Sequence, residues 1–535
     1  MIDLSLAQIA EIVGGELADV SVSDAEAIRV TGTVEFDSRA LAPGGLFLAL
    51  PGERSDGHDF AAAAVAAGAV AVLAARPVGV PAVVVSPAGS DVDAGAGVLE
   101  FDTDGSGAAV LAALAKLAAA VAAELVAGGL TIVGVTGSSG KTSTKDLLAA
   151  VLSPLGSVVA PPGSFNNELG HPWTVLRATT DTDYLILEMS ARHRGNIAAL
   201  ARIAPPSIAV VLNVGTAHLG EFGSREAIAA TKGELPQSVP ASGVVVLNAD
   251  DSAVAAMADI TAARVVRVSR SPGADVWADD VTLDEVARPR FTLHAAQGVV
   301  PVELAVHGDH QVSNALSAAA VALECGASLD QVAAALAVAG PVSKRRMQVS
   351  TRSDGVTVIN DAYNANPDSM RAGLKALAWM ARSRGADGTD RRRSWAVLGE
   401  MAELGDDAIS EHDSIGRLAV RLDVSRLIVV GTGRSLNAMH QGAVMEGSWG
   451  SESTVVADAE AALELLRAEL REGDVVLVKA SKVAGLAALA DALVDDSGIE
   501  TGGQERSDRG IGTGGQERSD RGIGTGGQER SDRGI

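Results

Sequence analysis

Residues 131–142 read Thr131-Ile-Val-Gly134-Val-Thr-Gly137-Ser-Ser-Gly140-Lys141-Thr142. A β-branched run, Ile132–Val135, feeds a glycine-rich loop, and an amphipathic segment begins near Ser143. Strand, glycine loop and helix in that order let consecutive backbone N–H groups converge on phosphate oxygens at a helix N-terminus. Lys141 would neutralise the outer phosphates, Ser138, Ser139 and Ser143 would line them, and the Thr142 hydroxyl would hold Mg²⁺. The spacing departs from the strict phosphate-loop pattern, because Val135 stands six before Lys141 and the glycine comes one residue earlier. An ordinary glycine turn is the alternative, and the Gly-Lys-Thr triplet in a strand–loop–helix setting argues against it.

Outward from this loop, short apolar runs alternate with Ala-rich helical segments. Ile132–Val135, Tyr184–Leu187, Ile208–Leu212 and Val244–Leu247 are too short for helices and are bounded by polar residues or glycine. This pattern predicts an α/β fold with a mostly parallel sheet. A boundary is expected near Gly340–Pro341, beyond which Val356–Ile359, Trp395–Leu398, Leu427–Val430 and Val475–Val478 repeat the pattern. The chain therefore divides into a small mixed α/β unit over 1–104, a central phosphate-loop domain over 105–340 and a C-terminal Rossmann-like domain over 341–500. Ser86–Gly107, rich in Gly, Ala, Ser and Asp, is the expected first linker. Residues 501–535 repeat TGGQERSDRGIG with only one Ile per copy to bury, and are expected to be disordered.

A length of 535 residues agrees with three or four domains at roughly 150 residues each. The net charge of −24 argues against nucleic acid as a partner, since such a surface repels a phosphate backbone. One cysteine, Cys325, excludes an intramolecular disulfide and any multi-cysteine metal centre, which fits a reducing cytoplasm. The N-terminus carries Asp3 and Glu11 with no basic cluster, unlike a signal peptide. The apolar stretch Gly107–Leu130 contains Lys116 and Glu124 and is mostly Ala, so it reads as a buried helix rather than a membrane span.

Other residues carry candidate chemistry. Glu188 closes one apolar run and His218 follows another, which would bring both to the sheet edge beside the phosphate loop as magnesium ligands. Taken singly, a strand-ending carboxylate is more often a helix cap, a lone histidine more often structural, and Lys232 more often a solvated helix lysine. The segment Asn360-Asp361-Ala-Tyr363-Asn364-Ala-Asn366-Pro-Asp368 follows a strand and reads either as turn chemistry or as a nucleotide-facing loop. Lys344, Arg345 and Arg346 lie past the second boundary, where cations could close over a phosphate.

Taken together, these segments resemble the Mur ligases, the ATP-dependent peptide-bond-forming enzymes of bacterial peptidoglycan synthesis, from about residue 1 to 495. The resemblance includes the departing loop spacing. Four segments point to the branch that adds D-alanyl-D-alanine to UDP-N-acetylmuramoyl-tripeptide. The first, shared with the diamino-acid-adding branch, is Asp37-Ser38-Arg39 with Gly44–Phe47 and His58-Asp59-Phe60. The second is Ser164-Phe-Asn166-Asn167-Glu168-Leu-Gly170. The others are Asp361–Met370 and Leu398–Gly405. The Asp-Asn-Pro-Arg signature of the diamino-acid-adding branch is absent.

The resemblance implies roles. Ser38 and Arg39 would hold the uridine diphosphate, and Asn166, Asn167 and Glu168 the muramoyl peptide. Thr142, Glu188, His218 and Lys232 match the family's metal positions, with Lys232 carbamylated. Asn314, Arg345, Asp361 and Asn366 match positions around adenosine and phosphates. Lys479, Ser481 and Lys482 would lie near the incoming amine. His310-Gln311-Val-Ser-Asn314 departs from the usual His-Asn by one methylene, which keeps the amide. ATP and Mg²⁺ are the implied cofactors, and a cytoplasmic monomer with a closing C-terminal domain is the implied form. The rivals are a ligase of the diamino-acid-adding or folylpolyglutamate synthase-like kind and a non-catalytic nucleotide-binding regulator.

Overall fold

The structure, a computed structural model, describes residues 1–495 except 54, 88–98, 100, 216–218, 383–391, 448–449 and 451. His218 and the repeat 501–535 lie outside the described residues, and so does the expectation of disorder for that repeat.

Valine and isoleucine runs buried on both faces build the central sheet. Its nine strands lie in the order Gly298–Glu303, Pro289–Ala295, Val276–Leu283, Arg264–Ser269, Val244–Asn248, Ile208–Val211, Thr131–Thr136, Tyr184–Glu188, Val158–Val159. The last seven are parallel, and the first two continue the sheet as an antiparallel extension. The four expected runs are all strands within a residue or two. The extension was not foreseen: its strands alternate buried and exposed residues, a half-covered pattern easily lost among polar residues.

Thr131–Thr136 pairs with Tyr184–Glu188 on one side and Ile208–Val211 on the other. The chain leaves the first strand toward one edge and returns to build the other, so the phosphate loop sits where the strand order reverses. Crevices at such switch points are where α/β sheets bind ligands.

A six-stranded C-terminal sheet runs Gln348–Thr351, Thr357–Asn360, Val475–Lys479, Ser394–Leu398, Arg426–Val430, Ser453–Val456, parallel except for its first strand. The N-terminal sheet has five strands, Glu16–Ala18, Ala82–Val84, Ala69–Ala74, Gly45–Leu48 and Val34–Glu35, with only the first antiparallel to its neighbour.

The helix Ser106–Ala127 is the one helix among the described residues long and apolar enough to cross a membrane. It is instead a shared wall. Leu114, Leu117 and Val121 are fully buried in a core that also holds Leu6 and Ile9 of the N-terminal unit and Ile132 and Leu187 of the central sheet. Lys116 donates to the Val13 carbonyl at 3.0 Å, which satisfies its charge at the edge of that core. The expected linker is therefore shorter than Ser86–Gly107. The Asp102 carboxylate accepts the amides of Gly107 and Ala108 at 3.1 and 2.8 Å and caps the helix.

The central and C-terminal sheets meet through backbone. A Cβ on Gly405 would stand 2.6 Å from the Gly220 Cα, and Gly405 has a φ of +56°. Beside this contact the Gly220 amide donates to the Glu403 carbonyl at 3.3 Å and Arg192 pairs with the Glu403 carboxylate at 3.3 Å. Gly405→Ala adds a left-handed penalty of about 1–2 kcal/mol to the clash. Thermal unfolding should show a midpoint lower by about 2–4 °C for each kcal/mol lost; an unchanged midpoint would contradict the contact.

Candidate active site

The phosphate loop is set from both neighbouring strands. Thr136 Oγ1 donates to the Met189 carbonyl at 2.9 Å, the Ser138 amide to the Asn213 carbonyl at 3.1 Å and the Ser139 amide to Asn213 Oδ1 at 2.9 Å. Gly140 adopts a φ of +84°, and a Cβ there would lie 2.7 Å from Asn314 Oδ1, so glycine is required on both counts. The helix Lys141–Leu152 follows directly, starting two residues earlier than expected.

Lys141 is held over this loop with its Nζ donating to the Gly137 carbonyl at 2.7 Å. Burial pulls its pKa down to about 8; the Glu188 carboxylate opposes that shift and Arg346 adds to it. Glu188, the last residue of its strand, accepts from Thr142 Oγ1 at 3.2 Å and Ser164 Oγ at 3.1 Å through one oxygen. Its other oxygen, Oε1, is buried without a partner. A buried carboxylate oxygen left unsatisfied costs a kcal/mol or more, on the order of a lost hydrogen bond, and a cation removes that cost. The Thr142–Glu188 pair thus fits a magnesium ion. Among the described residues no three His, Cys, Asp or Glu converge, so further ligands must come from elsewhere. Lys232 ends the helix Arg225–Lys232, buried. Desolvation, and secondarily the charge of Lys141, push its pKa well below the usual lysine value.

Lys141 and Thr142 face a cleft of about 1970 Å³ between the central and C-terminal domains, and Glu188 lies behind Thr142, outside the lining. Ser138 to Ser143, Asn166, Asn167, Glu168, Asn314, Asp361, Asn366, Lys479, Ser481 and Lys482 all line the cleft. Asn166 donates to Ser164 Oγ at 2.8 Å, and Asn167 Oδ1 accepts the Gly170 amide at 2.9 Å, so the 164–168 loop is tied to Glu188 at one end and to the next helix at the other. From the C-terminal side, Asn366 Nδ2 reaches the Ser138 carbonyl at 3.3 Å. Asp361 pairs with Lys479 at 2.6 Å and accepts the Met347 amide at 3.0 Å. Ser481 Oγ is buried with no partner, free to meet a ligand. Gln311 Oε1 accepts from Asn314 Nδ2 at 2.9 Å, so the longer amide fixes how its neighbour is turned.

Four further expected residues stand apart. Ser38 and Arg39 do not line the cleft; Arg39 is 88% exposed and folds back on Asp37 at 2.9 Å. Lys232 is not in the lining either. Arg345 pairs with Asp491 at 2.7 Å, away from the cleft, and the lining cation is Arg346. Its guanidinium lies 4.1 Å from the Tyr363 ring centre and its Nε is buried without a partner. Two adjacent arginines cannot be told apart by sequence; the φ of +62° at Arg345 decides which one turns inward. Sequence reasoning also missed Asn213, whose position at the end of its strand was the available signal, and Arg192, Arg225 and Arg270, which line the cleft from separate loops and carry no local motif.

A phosphate loop with a buried carboxylate beside it, roofed by a second α/β domain, defines an enzyme that spends a nucleoside triphosphate on a second substrate. Comparison with known proteins narrows the class. Residues 32–119 match the Mur ligase family catalytic domain, 135–322 the Mur ligase middle domain and 345–482 the Mur ligase glutamate ligase domain. The chain belongs to the Mur ligase family. It is 76% identical over 507 residues to the UDP-N-acetylmuramoyl-tripeptide--D-alanyl-D-alanine ligase of Mycobacterium tuberculosis, covering 93% of this chain and 98% of that protein. It is 35% identical to the Escherichia coli K12 protein of the same name, over 81% of this chain and 86% of that one. Among solved structures, MurF from Acinetobacter baumannii superposes with a TM-score of 0.75 at 28% identity, covering 92% of this chain and 99% of that one. MurF ligase from Thermotoga maritima in complex with ADP gives 0.68 at 27%, covering 88% and 98%.

The lowered pKa of Lys141 fixes a sign. Its folded pKa lies below the unfolded value, so its own contribution to stability rises between about pH 8 and 10.5. A bound diphosphate favours the charged amine, so affinity runs the other way. Calorimetric titration with ADP in chelator should weaken by up to about tenfold per pH unit above 8, and Lys141→Met should flatten that profile; an unchanged profile would contradict the shift.

Proposed function

We propose that this chain joins D-alanyl-D-alanine to UDP-N-acetylmuramoyl-tripeptide at the expense of ATP, forming the pentapeptide precursor of peptidoglycan. The observation that carries the reading is the single cleft onto which the phosphate loop, the 164–168 loop and the 361–368 loop all open, in a chain 76% identical to a ligase of that name.

The γ-phosphoryl of ATP passes to the terminal carboxylate of the tripeptide: a carboxylate oxygen–phosphorus bond forms and the bond to ADP breaks. The dipeptide amine then attacks the acyl carbon. The tetrahedral adduct expels phosphate, the nitrogen loses its proton, and an amide remains. Two anions must approach for the first step, so the charges of Lys141 and Arg346 are needed where they meet. Backbone amides of Gly137 to Thr142 orient the phosphates, with Ser143, Asn314, Asp361 and Asn366 around the nucleotide. Asn166, Asn167 and Glu168 orient the peptide, and Ser481 and Lys482 the amine. Magnesium, when bound by Thr142 and Glu188 with His218 and Lys232, supplies charge neutralisation at the transferring phosphoryl group.

Lys232 suits a carbamate. Burial pushes the pKa of its amine well below the usual lysine value, which favours the neutral form that adds to CO₂, forming an N–C bond and releasing one proton. Residues 1–104 take the uridine diphosphate, with Ser38 and Arg39 contacting it, residues 105–340 ATP, and residues 341–500 the amine. We further read the chain as a cytoplasmic monomer that neither enters a membrane nor binds nucleic acid, in keeping with its one cysteine and its charge of −24.

Phosphate release from ATP, Mg²⁺ and UDP-N-acetylmuramoyl-tripeptide should require D-alanyl-D-alanine. The product should be heavier by one dipeptide less water. Release with glutamate or a diamino acid instead would move the chain to a sister activity, and no release with any amine would favour a regulator. With ¹³C-bicarbonate, a carbamate carbon resonance should appear and vanish in Lys232→Ala; its survival would remove the carbamate.

A further inference from the structure

Three segments that serve the cleft are tied together by one half-buried carboxylate, Asp146. Asp146 lies in the second turn of the helix that opens at Lys141. Its Oδ2 accepts the Ser343 amide at 2.9 Å and its Oδ1 accepts the Ser343 hydroxyl at 3.1 Å. That hydroxyl in turn accepts the Gly163 amide at 3.0 Å, immediately before the 164–168 loop. Lys145, 3% exposed, pairs with Asp146 at 3.0 Å and donates to the Pro161 carbonyl at the start of the same loop. Ser343 is 2% exposed and belongs to the connection between the helix Leu329–Val338 and the strand Gln348–Thr351.

That connection is strained. Arg345 and Met347 adopt φ of +62° and +46°, each about 1–2 kcal/mol above the right-handed alternatives. Such conformations persist only where surroundings over-determine them. Downstream the determinants are the Arg345–Asp491 pair and the Met347 amide on Asp361. Upstream the side-chain determinant is Asp146 on Ser343. Between the two anchors stands Arg346, which lines the cleft and whose Nε is buried without a partner.

We propose that Asp146 and Ser343 are positioning residues: their clamp fixes the strained connection so that Arg346 stands at the triphosphate, and ties the phosphate-loop helix to the tripeptide loop. The kinetic half of this inference rests on the reading of function above. The binding half does not. Loss of the Ser343 hydroxyl releases both the Gly163 amide and half of the Asp146 clamp, while threonine keeps the hydroxyl. A cavity of about 20 Å³ lined by Ser143, Asp146, Ser343 and Arg346 offers room for the added methyl.

The test uses the full chain as wild type, Ser343→Ala, Ser343→Thr and Asp146→Ala, with calorimetric titration of a non-hydrolysable ATP analogue and steady-state phosphate release. Ser343→Ala and Asp146→Ala should each weaken the analogue at least fivefold and lower kcat at least tenfold, with KM for the dipeptide within twofold. Ser343→Thr should restore both within twofold. Analogue affinity within twofold of wild type in Ser343→Ala, or equal loss in Ser343→Thr, would overturn the clamp. If Ser343→Ala does not fold, the same thresholds apply to Asp146→Ala. Wild type that releases no phosphate with the dipeptide would refute the function and leave the binding comparison to decide the clamp.

Discussion

The constraint on which the rest depends is the buried Glu188 carboxylate at the end of the strand beside the phosphate loop. One oxygen is held by Thr142 and Ser164, and the other has nothing. A buried carboxylate oxygen without a partner marks a place where a cation gains most by binding. The same side chain fixes three things at once: the first turn of the phosphate-loop helix, the entrance of the 164–168 loop, and the sign of the charge that a ligand must bring. Lys141 and Lys232 answer on the other side with amines whose positive charge burial disfavours. Arg192, Arg225, Arg270 and Arg346 add cations to the cleft lining, so a chain of net charge −24 can still gather anions locally.

Packing supplies the rigidity for this. The strand carrying Glu188 and the strand carrying the loop are paired in register from Tyr184 on Thr131 to Glu188 on Val135. His171 sits fully buried behind them, its pKa drawn down to about 4 by desolvation, so it is neutral at ordinary pH and acts as filling. The helix Ser106–Ala127 merges the N-terminal and central cores, while the C-terminal domain keeps cores of its own. Its contacts with the central domain combine polar and backbone pairs, Asn366 on Ser138, Gly405 on Gly220, Arg192 on Glu403 and Ser343 on Asp146, with a small apolar contact in which Leu283 and Ala287 pack into the C-terminal core. Interfaces of that kind favour relative movement over fixed docking.

Much of this was legible in the sequence. The parallel strands declared themselves because runs such as Ile208–Val211 are buried on both faces and carry no polar residue. The phosphate loop and Glu188 were legible because each follows directly from a strand end. What escaped depends on backbone direction or on distance along the chain. Arg346 rather than Arg345 enters the cleft through a positive φ that no residue type advertises. The Asp146–Ser343 clamp joins residues 197 positions apart. The strands from Val276 to Glu303 alternate too weakly to be read as an extension of the central sheet.

The central claim is that the tripeptide carboxylate becomes an acyl phosphate in the cleft between Lys141 and Arg346. Isotope transfer tests it most directly. With both oxygens of the terminal carboxylate labelled with ¹⁸O, the phosphate released in the presence of D-alanyl-D-alanine should carry one labelled oxygen, because the oxygen that bonds to phosphorus departs with it. Unlabelled phosphate formed alongside amide would contradict the acyl phosphate and require another route to the bond.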